Sequence, residues 1–235
     1  MKTYFLFSGG LDSVAALDIL SKGPDIALDD NFELIFIDYK QAAATMEYRS
    51  VLHWALKYRC KVKRLCVWDY ENIVPEENQW VFYGDSVKAN NPSNKDALFL
   101  PGRNIYLLTV AAVATYNRRN PSTRFLLATH KEELPGGEYN THGDCSPKFF
   151  KAMEGSLSFG MSTPTTPVRY DISSPVADYT KKQLIEYCKM NRIDISRVWS
   201  CYGRGPEPCG TCQHCLEIIE ATKPIPPPAR KVVGI

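Results

Sequence analysis

No apolar run in this chain approaches the ~20 residues that a membrane-spanning helix needs, so no membrane partner is expected. Charge of one sign is not in excess either: 28 Lys and Arg face 26 Asp and Glu, for a net +2. That balance gives no argument for direct nucleic-acid binding. The opening Met1-Lys2-Thr3 runs straight into apolar sequence without a small-residue cleavage site. No signal peptide is read there, and a cytoplasmic location is expected. Internal repeats are missing. Histidine is scarce, and His53, His130 and His142 each stand alone, which favours packing or surface roles over ligation. The 8 cysteines are spread unevenly: Cys60, Cys66, Cys145 and Cys188 are scattered, while Cys201, Cys209, Cys212 and Cys215 cluster. With no export signal, the cluster reads as metal ligands in a reducing compartment rather than as disulfides. Cys145 is read as a small buried residue, with a nucleophile as the minority reading.

What is present is a regular alternation. Strand-like apolar runs at 3–7, 33–38, 61–67, 124–129 and within 167–175 are separated by helical spacing at 12–21, 45–58, 104–116, 147–160 and 180–190. This predicts an α/β fold, a mostly parallel sheet with helices on both faces. The 235 residues suffice for one such unit with a full core. Residues 1–222 are expected to form it, with a zinc knuckle at 200–216. Residues 69–100, with Pro75, Pro92 and "NNPSN", are expected to be irregular, and "HKEELPGGEYNTHGD" a long loop. The proline-rich stretch 223–235 is expected to be an extended tail outside the core.

The stretch "YFLFSGGLDSVAAL" breaks from strand to helix through Ser8-Gly9-Gly10-Leu11-Asp12-Ser13. In an open parallel sheet, ligands bind beyond the carboxyl ends of the strands, where this turn falls. Glycines permit positive φ and close backbone approach, and the next helix offers unpaired N–H groups and the positive end of its dipole. Ser8 and Ser13 add hydroxyls. The Lys-Ser/Thr ending of the Walker loop is absent, as is the three-glycine dinucleotide spacing. Asp12 makes sense as a helix cap or as a carboxylate that helps hold Mg²⁺ on phosphates. A bare glycine turn with an Asp cap is the plain alternative; the whole strand–turn–helix unit favours a phosphate.

Near the other end, "SCYGRGPEPCGTCQHC" sets Cys201 ahead of Cys209-x-x-Cys212-x-x-Cys215. Four thiolates complete one tetrahedral Zn²⁺, with no open position for catalysis. A redox Cys-x-x-Cys pair and an iron–sulfur cluster are the alternatives; a closed set that needs no further partner favours zinc. His214 sits between ligands and could compete with them.

The glycine unit resembles the pyrophosphate loop of the ATP pyrophosphatase superfamily, whose members split ATP between its α and β phosphates and adenylate a substrate oxygen. Together with the cysteine pattern it resembles the QueC family, the 7-cyano-7-deazaguanine (preQ0) synthases. "FIDYKQ" looks like that family's strand end with Tyr-x-Gln, here Tyr39 and Gln41. "FLPGRN" is similar to its Pro-Gly-Arg-Asn, here Pro101, Gly102, Arg103 and Asn104. "DCSPKFFKA", with Asp144, echoes an Asp-Cys segment, Lys181 sits where the family has a lysine, and "SCYG" matches the opening of its knuckle. The chain departs at Leu11, where the family has Gln, and at Ala42-Ala43, where it has Arg-His. "HKEELPGGEYNTHGD" replaces its Glu-Thr-Asp stretch.

The resemblance implies a Rossmann-like, adenine nucleotide alpha hydrolase-like sheet. It implies ATP, Mg²⁺ and Zn²⁺ as cofactors, and a deazapurine carboxylate and ammonia as small-molecule partners. The carboxylate of 7-carboxy-7-deazaguanine is adenylated and aminated to the amide, which is adenylated again to give the nitrile. Asp12, Arg103 and Lys181 are the implied catalytic residues; Ser8, Gly9, Gly10, Leu11, Asp12 and Ser13 hold the pyrophosphate. Tyr39, Gln41, Asn104 and Asp144 are the implied substrate contacts, and Cys201, Cys209, Cys212 and Cys215 the metal ligands. A homodimer is compatible with it. Relatives in phages and antiviral operons suggest a second reading, a ligase that passes the adenylated carboxylate to an amine of a peptide or nucleotide, with a protein partner in the antiviral case. A non-catalytic zinc-stabilised nucleotide-binding module ranks behind both, because residues 8–13 keep the motif. tRNA thiolation would want an accessory RNA-binding domain for which the chain has no room.

Overall fold

The computed structural model describes residues 1–67, 69–74, 82, 100, 102–133 and 143–223. Five strands are seen among them: β1 (Lys2–Leu6), β2 (Phe32–Asp38), β3 (Lys61–Cys66), β4 (Ser122–Leu126) and β5 (Arg169–Ser173). They lie in the order β3-β2-β1-β4-β5, every neighbouring pair parallel. The connections are α1 (Leu11–Lys22), α2 (Ala44–Tyr58), a short α3 (Tyr70–Ile73), α4 (Arg103–Thr115) and α5 (Pro147–Met161), followed by α6 (Lys181–Met190) and α7 (Gln213–Thr222). This is the expected Rossmann-like α/β architecture. All but Lys223 of the tail expected at 223–235, and most of the expected irregular segment and long loop, lie outside the described residues.

Strand periodicity explains the two faces. Phe5, Phe7, Leu34 and Phe36 point into one apolar cluster with Val14, Leu17, Val51, Trp54 and Leu184. Their alternates Tyr4, Ile35 and Ile37 enter a second cluster with Leu108, Phe125, Phe150 and Ile172. A strand sends successive side chains to opposite sides, and strands apolar in both sets must be covered on both. Thus α1, α2 and α6 close one face, while α4 and α5 close the other. The edge strand β3 carries Lys61, Lys63 and Arg64, charges that discourage further pairing. No helix among the described residues is long and apolar enough to cross a membrane.

Strand order reverses direction between β1 and β4, so a crevice opens beyond their carboxyl ends. The turn after β1 lies at that point. A third cluster, including Ala43, Tyr70, Trp199, Cys201, Cys212 and Cys215, packs the cysteine segment beside it.

Candidate active site

The two glycines of the turn do different work. Gly9 has φ +77, and a Cβ built on it would lie 2.9 Å from both Cβ and Oγ of Ser50 and 3.0 Å from the Glu47 carbonyl. It must be glycine because α2 crosses directly against it and because L-residues resist that φ. Gly10 has φ −75 and ψ 170, ordinary extended backbone. The sequence-based expectation of positive φ therefore holds at Gly9 and is corrected at Gly10, where the constraint is close neighbours. A Cβ there would sit 3.3 Å from Ser8 Oγ and 3.4 Å from Ser200 Oγ.

Three elements hold the turn. Ser50 Oγ lies 2.7 Å from Gly9 O and 2.8 Å from Arg197 O, so one hydroxyl proton is shared between two carbonyls. Trp199 N–H donates to Gly9 O at 3.2 Å. Leu11 N–H donates to Ser200 Oγ at 3.1 Å, Gly10 N–H to Ser8 Oγ at 3.2 Å, and Ser8 and Ser13 hydroxyls are 3.0 Å apart. The first N–H groups of α1 thus face hydroxyls, positions that a phosphate oxygen can take. Asp12 does not cap the helix: Gly10 is the N-cap, without a side-chain cap bond. Its two oxygens instead accept from Lys181 Nζ at 2.8 and 2.7 Å.

Lys181 opens α6, whose Thr180 and Gln183 form a capping box. A cation at a helix start is disfavoured by the dipole, and here two carboxylates compensate. Besides Asp12, Glu217 Oε2 lies 3.0 Å from Lys181 Nζ. Burial pushes the ammonium's pKa down, but Asp12 and Glu217 hold it well above the ordinary lysine range. Glu217 is the converse: burial pushes it up, and His214 and Lys181 draw it well below the usual carboxylate range. His214 Nδ1 is 2.9 Å from Glu217 Oε2 and Nε2 is 2.6 Å from the Tyr202 hydroxyl. Both ring nitrogens are engaged, so His214 is not a competing metal ligand.

Arg103 likewise opens a helix, α4, after Gly102 at φ +71. It is partly buried, with Tyr39, Tyr202, Cys145 and Asp144 as its electrostatic neighbours. Tyr39 is pushed up to about 12 by burial, against the pull of Arg103. Asp144 accepts from the Asn104 N–H at 3.3 Å, and Asn104 Nδ2 donates to Asp144 O at 3.1 Å and to Cys145 Sγ at 3.5 Å. Asp144 therefore caps α4 from outside it. Gln41 is buried: its Oε1 accepts from Tyr39 N–H at 2.9 Å and its Nε2 donates to Glu47 Oε2 at 2.7 Å. Glu47 is pushed up to about 7 by burial, against Gln41 and Arg103. Cys145 is 4% exposed, and burial raises its thiol far above the ordinary range, which argues against a nucleophile. His53 packs edge-on against Trp54, as a lone helical histidine was expected to. His142 lies outside the described residues.

The sequence reading missed Ser50, Ser200, Glu47, Glu217 and the Tyr202–His214 pair. Ser200 could have been noticed as the neighbour of Cys201. The others give no local signal, because their partners come from distant segments.

The ligand atoms of Cys201, Cys209, Cys212 and Cys215 lie within 4.8 Å of one another, with Cys209 and Cys215 sulfurs 3.8 Å apart. A tetrahedron with Zn–S of about 2.3 Å has S···S edges of about 3.8 Å. N–H donors surround the sulfurs: Gly203 and Cys209 reach Cys201 Sγ at 3.2 and 3.3 Å, and Cys212 reaches Cys209 Sγ at 3.3 Å. Burial works against it, but the backbone donors at Thr211 and Cys212 draw Cys209 down to about 6. The set fits one thiolate-bound metal ion, and Zn²⁺ suits it.

The model of the family "Queuosine biosynthesis protein QueC" matches residues 2–223. A 7-cyano-7-deazaguanine synthase of Methanosarcina mazei is 26% identical over 96% of this chain and 95% of its own length. Another, from Archaeoglobus fulgidus, is 28% identical over 94% of this chain and 85% of its own. Among solved structures, the U34-tRNA thiolase NcsA of Methanococcus maripaludis, with its [4Fe-4S] cluster, matches 94% of this chain and 64% of its own at 15% identity, with a TM-score of 0.47.

Proposed function

The chain belongs to the QueC family, and from that premise we propose that it is an ATP-dependent ligase that releases AMP and pyrophosphate while it converts 7-carboxy-7-deazaguanine, with ammonia, to the 7-amide and then the 7-cyano product. The single observation that carries this reading is the Ser8 to Ser13 turn at the reversal point of the sheet, with α1's N–H groups, Asp12 and Lys181 converging on it. Phosphate oxygens take the places now filled by the Ser8 and Ser200 hydroxyls. Lys181, released from Asp12, and Arg103 neutralise negative charge that develops as the α-phosphate is attacked. Asp12 would hold Mg²⁺, which supplies charge neutralisation on the phosphates. The four cysteines would hold Zn²⁺ as a structural ion and keep Trp199 and Ser200 against the turn.

Tyr39, Asn104, Asp144 and Arg103 wall the acceptor side, with Gln41 and Glu47 behind Tyr39. Each adenylation turns a poor leaving group into a good one, and the protein's part is to exclude water and align the nucleophile. A second reading, transfer of the adenylated carboxylate to a larger amine, is favoured by Ala42-Ala43. Ala43, 3% exposed ahead of α2, and Ala42 bring no charge where the resembled family has Arg-His.

The test is incubation of purified protein with ATP, Mg²⁺, 7-carboxy-7-deazaguanine and ammonia. Chromatography of the nucleotide should show AMP and pyrophosphate, and mass spectrometry the amide and nitrile. ADP as the product overturns the assignment. AMP without amide or nitrile, but with an adduct on an added amine, selects the second reading.

A further inference from the structure

The geometry points to Glu217 as a positioning residue that holds Lys181 over the phosphate turn, and to Tyr202 and His214 as the struts that fix Glu217. The inference rests on the functional reading above and deepens it. A line of contacts runs from the cysteine knuckle to the turn: Tyr202 hydroxyl to His214 Nε2 at 2.6 Å, His214 Nδ1 to Glu217 Oε2 at 2.9 Å. It continues from Glu217 Oε2 to Lys181 Nζ at 3.0 Å, and from Lys181 Nζ to Asp12 Oδ2 at 2.7 Å. Lys181 and Glu217 side chains are only 14% and 15% exposed.

Lysine's long stem has many rotamers and its ammonium is a point charge without a fixed fork. It must be held from more than one side to stay in one place. Asp12 belongs to the turn that receives the triphosphate, so its hold on Lys181 is the one exchanged when phosphate arrives. Glu217 comes from α7, behind the ammonium, and its hold can persist. His214 meets Glu217 through Nδ1 and the Tyr202 hydroxyl through Nε2, which locks the ring and the carboxylate together. Asp12 and Glu217 set two carboxylates against one ammonium beside a site for a polyanion. Ground-state attraction for ATP does not explain the second carboxylate; orientation of the ammonium does.

A kinetic and binding cycle tests this on the full chain: wild type, Glu217→Gln, Lys181→Met and the double variant, with AMP formation as one readout. Affinity for α,β-methylene-ATP by calorimetry, zinc content and melting temperature are the others. The variant Glu217→Gln should lose on the order of 10- to 100-fold in kcat, the scale of a misplaced catalytic group, without weaker analogue binding or zinc loss. In the Lys181→Met background it should cost nothing more, since residues that act through one another are non-additive. Wild-type kcat in Glu217→Gln overturns the inference, as does an additive loss in the double variant. Glu217→Asp keeps the charge and shortens the arm. If Glu217→Gln does not fold, an intermediate kcat in Glu217→Asp with zinc retained supports the inference, and a wild-type kcat overturns it. Wild type that neither binds the analogue nor forms AMP overturns the functional reading itself, and the inference with it.

Discussion

Replacing Gly9 by alanine isolates the physical demand of the turn from its chemistry. The new Cβ would lie 2.9 Å from Ser50 Cβ and Oγ and 3.0 Å from the Glu47 carbonyl. Ser50 cannot rotate away freely, because its hydroxyl bridges Gly9 O and Arg197 O. The left-handed φ of +77 costs an L-residue about 1–2 kcal/mol, and overpacking adds about 1–3. For a chain of 235 residues, each kcal/mol lowers Tm by about 2–4 °C. A fall of ~4 °C or more is therefore expected. Gly10→Ala is the control, since φ −75 and ψ 170 suit any residue and its nearest neighbours are rotatable hydroxyls. It should stay within about 1 kcal/mol of wild type. Thermal scans backed by urea midpoints give the comparison. Equal losses at the two positions, or a Gly9→Ala protein that melts with wild type, would refute the reasoning.

Elemental analysis should find one zinc per chain, and Cys212→Ser should lose it, lower Tm and weaken nucleotide binding, because Trp199 and Ser200 hold the turn from the segment that the metal orders. Iron in zinc's place would overturn the choice of ion, and neither metal would overturn the site. Acid should expose Asp18. Burial raises its carboxyl, but hydrogen bonds from Lys22, Tyr58 and Tyr187 hold it below the ordinary range. A depressed folded pKa gives stability that is present above the unfolded value of about 3.9 and lost as pH falls through the folded one. Urea midpoints of wild type should therefore drop below about pH 4 more steeply than those of Asp18→Asn; parallel curves would count against the cluster.

The alternation of strand and helix, the position of the glycine turn after the first strand and the cysteine spacing are all local patterns, and they were legible in the residues. A buried parallel strand announces itself by a short apolar run, and β1, β2 and β3 lie within one residue of the ends expected for them, whereas β4, expected at 124–129, spans Ser122–Leu126. The helices expected from 147 and 180 start at Pro147 and Lys181, where Ser146 and Thr180 cap them. Asp12 shows where such reading stops. As a carboxylate at a helix start it looks like a cap, yet Gly10 takes that position and Asp12 turns to Lys181.

Sequence by itself determined the sheet's class, the glycine turn after β1 and the thiolate set, because each depends on residues close together in the chain. Tertiary structure alone decided which glycine must be glycine. That depends on Ser50 of α2 arriving 2.9 Å from where a side chain would stand. It alone brought Glu217, His214 and Tyr202 to Lys181, and Ser200 to Leu11. Those partners lie far apart in the chain, 189 residues for Leu11 and Ser200, so their meeting leaves no periodic trace in the sequence, and their energies come from burial and charge that exist only once these segments pack together.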